Sequence, residues 1–343
     1  MQKKLTKGAL LDERGQLAEA GYSTSLVKDY SRAAIRAGRM RIKEWDYYLI
    51  YNNRFGVALT VADNSYMGLL SISFLDFERG AEHTESPILP FTMGRLNLPE
   101  SSEEGSVHVR NRRSRFSFVK TDTERILTAS MEKFDAGLPI RMKIILTEEP
   151  QDSVVIATPF AEKKTAFYYN QKIVGMKARG MVEYKGRKYY FRPEDSFGLL
   201  DWGRGVWTYD NTWYWSALQG KIGAETFGFN LGYGFGNNTA ATENMLFYGG
   251  KAHKLEEVRF EIPGEEEGKI RYMDPWKVTD SEGRIDLAFT PVLDRSAFTS
   301  LGALMSDQHQ VFGWFDGTAA LDDGTVLPVR HMLGFAEKVR NKW

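Results

Sequence analysis

From Phe227 to Phe235 the chain reads Phe-Gly-Phe-Asn-Leu-Gly-Tyr-Gly-Phe, bulky at every odd position and Gly or Asn at every even one. A period of two suits a β-strand, whose successive side chains point to opposite faces, and suits no helix. One face packs. The other lets something come close, either a neighbouring backbone or a ligand. This run lies inside a longer stretch, 195–253, which holds Leu200-Asp201-Trp202-Gly203-Arg204-Gly205-Val206-Trp207, Trp213-Tyr214-Trp215 and Thr242-Glu243-Asn244. Four of the eight tryptophans fall between Trp202 and Trp215. Glycine permits bends and close approach while rings fill the space beside it, which suits a curved sheet. A few polar groups in an aromatic setting are what a small-molecule site needs.

The rest of the chain follows the same period. Ile42–Tyr51, Gly56–Ala62 and Tyr66–Glu78 read as successive strands joined by turns at Asn52-Asn53 and Asp63-Asn64, and Asp322-Asp323-Gly324 marks a late hairpin. Further strands are expected at Arg115–Val119, Arg125–Met131, Ile140–Leu146, Phe167–Tyr169 and Gly175–Tyr184. The segment 79–112, with Pro87, Pro90 and Pro99, reads as a long irregular loop of the kind that often forms a flap. Residues 1–40 read as a polar lead-in with one short helix near Thr24–Gly38. No strand–helix–strand units recur. The expectation is an all-β protein with few short helices, built as barrels or sandwiches. Arg192-Pro193-Glu194 is the best boundary, dividing the chain into β domains 1–192 and 193–343.

Composition narrows function by exclusion. Lys+Arg and Asp+Glu are each 45, giving zero formal net charge, whereas a nucleic-acid binder normally carries a basic excess. Cysteine is absent, which removes thiolate metal sites and cysteine nucleophiles and fits a reducing cytoplasm. No apolar run reaches the length of a membrane helix, and the first residues do not read as a signal peptide. The five histidines lack zinc-motif spacing, and no G-x-S-x-G elbow is present. Gly232-x-Gly234-x-Gly236 has the wrong spacing for a dinucleotide loop. Neither a cofactor nor a metal site is indicated.

The candidate site residues each carry two readings. Asp201 and Arg204 are either a buried ion pair or charged groups at a cavity mouth. Glu243 is an acid or base, or the end of a turn with Asn244; Asn230 lies on the open face of the Gly-rich strand. Trp202, Trp207, Trp213 and Trp215 are cavity walls or core. Glu44 and Asp46 share one strand face about 7 Å apart, either as a carboxylate pair inside a barrel or, as is commoner, on a wet face.

At Trp45-Asp46-Tyr47-Tyr48, Leu200-Asp201-Trp202-Gly203-Arg204-Gly205-Val206-Trp207, Asn230-Leu231-Gly232, Thr242-Glu243-Asn244, His253-Lys254 and His309-Gln310-x-Phe312-Gly313, the sequence resembles the bacterial family named domain of unknown function 2804. The resemblance runs over nearly the whole chain. It implies no catalytic assignment, because the family's activity is not established. At the level of fold it implies similarity to lipocalin-like two-barrel proteins of the carotenoid hydratase and tocopherol cyclase type, which act on lipophilic molecules.

Three functional expectations follow. The first is a lipophilic small molecule in an aromatic-lined β cavity, with hydration, isomerisation or cyclisation by Asp201 or Glu243 and charge stabilisation by Arg204. The second is a carbohydrate-binding or carbohydrate-modifying protein with tryptophans along an open groove. The third is a non-catalytic carrier.

Overall fold

The computed structural model of the chain describes residues 2–302 and 304–343. Two large antiparallel sheets account for nearly all of its regular structure. Along the first, neighbouring strands run Ala81–Glu85, Met67–Asp76, Phe55–Asp63, Ile42–Tyr51, Phe197–Val206, Phe167–Tyr184, Leu138–Thr147, Arg125–Asp135, Ser114–Lys120 and Ser106–Arg110. Along the second they run Lys251–Lys254, Met245–Tyr248, Glu225–Tyr233, Asp210–Ile222, Val326–Lys342, Leu304–Ala320, Ile285–Leu301, Trp276–Asp280 and Val258–Glu261. The turns at Asn52-Asn53, Asp63-Asn64 and Asp322-Asp323-Gly324 each join a hairpin, as their residue types require.

Each sheet curls around its own apolar core. Phe116, Phe118, Leu127, Ala129, Met131, Ile140, Met142 and Ile144 pack inside the first sheet at every second position. Phe227, Phe229, Leu231, Val278, Leu287, Phe289 and Phe315 do the same in the second. The strands Ile42–Tyr51 and Phe197–Val206 are buried on both faces. Their even positions, such as Tyr48, Ile50, Leu200 and Trp202, fill the first sheet's core. Their odd positions, Tyr47, Leu49, Tyr51 and Leu199, meet Trp215, Ala217, Phe312 and Phe335 of the second sheet. A strand buried on both faces loses its polar face, which is why Trp45–Tyr51 reads as a nearly continuous apolar run.

The structure departs from the sequence reading in four places. The lead-in forms only the short 3-10 turns Arg32–Ala34 and Arg39–Arg41 in place of the helix expected near Thr24–Gly38. The segment 79–112 contains the strands Ala81–Glu85, Ile88–Pro90 and Ser106–Arg110, the first two at the edge of the first sheet, where Pro costs no ladder hydrogen bond. Phe167–Tyr169 and Gly175–Tyr184 are parts of one strand, broken by a bulge between Ile173 and Met176 where Gly175 has φ 94°. The sheets also divide the chain later than the expected 192/193 boundary. Arg192 carbonyl accepts from the Asp195 and Ser196 N–H groups, turning the chain back into the first sheet. Phe197–Val206 is then a central strand there, and the crossing to the second sheet comes between Val206 and Asp210.

Candidate functional site

Where the outer face of Ile42–Tyr51 and Phe197–Val206 meets the second sheet, a cavity of about 220 Å³ remains. It lies between the sheets rather than inside either curl. Ile42–Tyr51 contributes Trp45 and Tyr47, Phe197–Val206 contributes Asp201, and Phe167–Tyr184 contributes Tyr168 and Lys172. The second sheet supplies Trp213, Trp215, Arg295, Gln308, Gln310 and Glu337, and the segments beside it add Trp207, Phe235 and Glu243. Thr60, Leu69, Arg295 and Gln308 are half-buried and form the mouth, while Lys172, Asp201, Glu243 and Glu337 are buried.

Glycine makes two of these placements possible. Gly203 lies directly across the ladder from Trp45, and a Cβ there would fall 1.9 Å from the indole. Trp45 therefore lies over the bare glycine, stacked on Tyr168 at 6.1 Å and edge-on to Trp207 at 5.3 Å. Gly232 plays the same part for Glu243, since a Cβ there would stand 2.6 Å from Oε1. The open face of the Gly-rich strand thus receives a carboxylate.

Lys172 organises one end of the cavity. Its Nζ donates to Glu243 Oε2 at 2.7 Å, Asn170 Oδ1 at 2.7 Å and Tyr168 Oη at 3.0 Å, and Asp201 Oδ1 stands 3.9 Å away. Burial works against the ammonium, but Glu243 and Asp201 outweigh it and hold its pKa above the ordinary value. Asn170 Nδ2 donates to Asp201 Oδ1 and to the Trp202 carbonyl. Asp201 is pushed up by burial, with Lys172 only partly offsetting it. Asn230 Nδ2 holds Glu243 through its carbonyl at 2.9 Å and Oε2 at 3.3 Å, while Asn230 Oδ1 accepts from Trp215 Nε1 at 2.7 Å.

At the other end, Glu337 accepts from Trp213 Nε1 and from Gln310 Nε2, each at 3.0 Å. Tyr47 Oη in turn donates to Gln310 Oε1 at 3.3 Å. Burial pushes the Glu337 carboxyl up to about 7, against the opposing pull of Trp213 and Arg295, and the charge of Asp201 adds to the rise. A carboxyl poised near neutrality can give or take a proton at little cost.

The structure brings together Asp201, Glu243, Trp207, Trp213 and Trp215, with Asn230 immediately behind Glu243. Other candidates lie elsewhere. Arg204 and Trp202 point the opposite way from Asp201, because neighbours of even spacing along a strand share the other face. Arg204 does not pair with Asp201. It is fully buried, pairs with Asp46 at 3.0 Å and donates to the carbonyls of Trp45, Gly203 and Pro99. Glu44 and Asp46 are not on a wet face. They are 2% and 6% exposed, and Glu44 accepts from Tyr30 Oη and pairs with Arg32. Asn244 holds a turn, accepting from Gly232 N–H and donating to the Glu256 carbonyl.

Lys172 and Glu337 escaped the sequence reading. Glu337 is a lone carboxylate in the apolar run Leu333–Val339, and Lys172 a lone ammonium just after Phe167–Tyr169. An unpaired charge in a strand that otherwise reads as buried was the available signal. Among the described residues no cluster of His, Asp and Glu could hold a metal ion, and no helix is long and apolar enough to cross a membrane.

The sequence model of domain of unknown function 2804 matches residues 2–343. The chain belongs to that family. No curated protein sequence matches this DUF2804 member. Among solved structures it is similar to a protein from Nitrosomonas europaea provisionally called AttH, with TM-score 0.54 and 12% identity over 88% of this chain and 93% of that one. It is also similar to kievitone hydratase from Nectria haematococca, with TM-score 0.47 and 11% identity over 88% of each chain. The DUF2804 member shares with these the lipocalin-like two-barrel fold.

Proposed function

We propose that this DUF2804 protein binds a small lipophilic molecule between its two sheets and moves protons on it without a cofactor, as a hydratase, isomerase or cyclase does. One observation carries the reading. Seven aromatic side chains (Trp45, Tyr47, Tyr168, Trp207, Trp213, Trp215 and Phe235) surround a cavity into which Asp201 and Glu337 project, with Glu337 poised near pH 7. Lys172 and Glu243 are bound to each other and set the local charge. Asp201 and Glu337 are left as the proton-transferring groups. General acid–base catalysis of this kind is worth about 10²–10⁴ in rate. A carrier has no need of buried titratable groups facing its ligand. The rings close in from both sheets, which favours an enclosed guest over a sugar chain lying in a groove.

The test begins with native mass spectrometry of protein purified gently from its own host, followed by solvent extraction. A lipophilic compound is expected to co-purify. With that compound as substrate, Asp201→Asn and Glu337→Gln should each lower kcat by about 10² or more while binding persists. The proposal fails if both variants turn it over normally. It fails equally if the protein is empty and its tryptophan fluorescence responds to oligosaccharides but to no lipid.

A further inference from the structure

Lys43 sits on Ile42–Tyr51, on the same face as Trp45 and Tyr47 and directly across the ladder from Gly205. It is 1% exposed. Other buried lysines have acid partners: Lys172 has Glu243 at 2.7 Å, and Lys28 has Glu19 at 2.8 Å. Among the described residues Lys43 Nζ makes neither an ion pair nor a hydrogen bond. It faces the rings of Tyr66, Trp343 and Trp207, at 4.9, 5.0 and 5.4 Å from their centroids. Burial lowers its pKa to about 7, Arg41 pushes the same way, and no carboxylate pulls it back.

The three rings share a second peculiarity. Tyr66 Oη, Trp207 Nε1 and Trp343 Nε1 are all buried with no hydrogen-bond partner. Leaving a buried donor unsatisfied costs about 1–3 kcal/mol. An indole N–H only donates, and an ammonium only donates, so these groups cannot satisfy one another. What the cluster lacks is an acceptor carrying negative charge.

We propose that Lys43 is carbamylated reversibly by carbon dioxide, and that the donors of Tyr66, Trp207 and Trp343 hold the carbamate oxygens. The Nζ lone pair attacks the carbon of CO₂ and an N–C bond forms. One C=O pair moves onto oxygen, and one N–H proton leaves to water. Nothing is oxidised or reduced. The amine becomes an anion with two acceptor oxygens where a cation without acceptors stood. The lack of an acid partner favours the neutral amine that the step requires. Trp207 also lines the cavity between the sheets, so the modified group stands directly behind the cavity wall.

The test uses the whole protein equilibrated with ¹³C-bicarbonate. Trapping with a trialkyloxonium salt and peptide mass spectrometry should place the label on Lys43, and ¹³C NMR should show a carbamate resonance that Lys43→Met removes. Trp343→Phe keeps the ring and loses one donor. At sub-saturating bicarbonate it should lower occupancy about tenfold, the worth of one hydrogen bond to a charged group. Absence of label on Lys43 at saturating bicarbonate, in protein that melts cooperatively, overturns the proposal. So does unchanged occupancy in Trp343→Phe, a comparison that stands even if Lys43→Met does not fold. Stabilisation by formate with no label on Lys43 would also overturn it, by showing an anion bound to an unmodified ammonium.

Discussion

Gly203→Ala should damage this protein through a single neighbour. An added Cβ would lie 1.9, 2.2 and 2.3 Å from Cζ2, Cε2 and Cη2 of Trp45, where real Cβ contacts essentially never fall under 3.0 Å. The indole must therefore retreat by more than about 1 Å in a packed interior. Tyr168 blocks one direction and Trp207 another. Overpacking of this kind costs about 1–3 kcal/mol, and the confinement of Trp45 puts the expected cost near the upper end. Alanine in a strand also relieves some of the entropic penalty of glycine, so the clash must outweigh a gain of roughly 0.5 kcal/mol. In a Trp45→Ala background the obstructing ring is gone, and Gly203→Ala should then be nearly neutral. Urea unfolding of the four proteins, followed by far-UV circular dichroism so that the missing tryptophan does not bias the signal, gives the coupling energy directly. About 2 kcal/mol is expected. A coupling within about 0.5 kcal/mol of zero would refute the claim that Gly203 is present to seat Trp45.

Two further predictions concern the buried charges. Glu337 has a folded pKa of about 7 against an ordinary 4.5, so the folded state binds its proton more tightly than the unfolded chain does. Its contribution is fully present below about pH 4.5 and is lost as pH rises through 7, a fall of roughly 3 kcal/mol at most; Glu337→Gln should flatten stability across that window, and an unchanged slope would remove Glu337 as its source. Lys172→Met strands the buried Glu243 carboxylate and should cost about 3–5 kcal/mol. Adding Glu243→Gln should recover much of that loss in a urea midpoint, and a double variant no more stable than Lys172→Met would show that the pair is not the unit that matters.

The all-β class was legible because the period of two is a local property. Phe227–Phe235, Ile140–Leu146 and the turns at Asn52-Asn53 and Asp322-Asp323-Gly324 each declare it without help from distant residues. The richness of the 195–253 stretch was legible too, and Asp201, Glu243, Trp207, Trp213 and Trp215 do face one cavity. Arg204 and Trp202 were grouped with Asp201 by nearness in sequence, yet a shift of one or three residues along a strand changes the face. Glu44 and Asp46 looked like exposed carboxylates because a sequence does not show that a strand is covered on both sides.

What the chain's own order of residues determined is which segments are strands, where they turn and which side chains share a face. The tertiary structure alone decided which face meets which. Lys172, Asp201 and Glu337 come from three strands, two in one sheet and one in the other, and they converge only because the outer face of Ile42–Tyr51 and Phe197–Val206 packs against the second sheet. The same packing withdraws these groups from water, and that desolvation shifts Asp201 and Glu337 upward. Strand period is encoded within a few residues, whereas burial of a charge depends on surfaces separated by a hundred residues or more, and so the cavity's chemistry exists only once the two sheets are in contact.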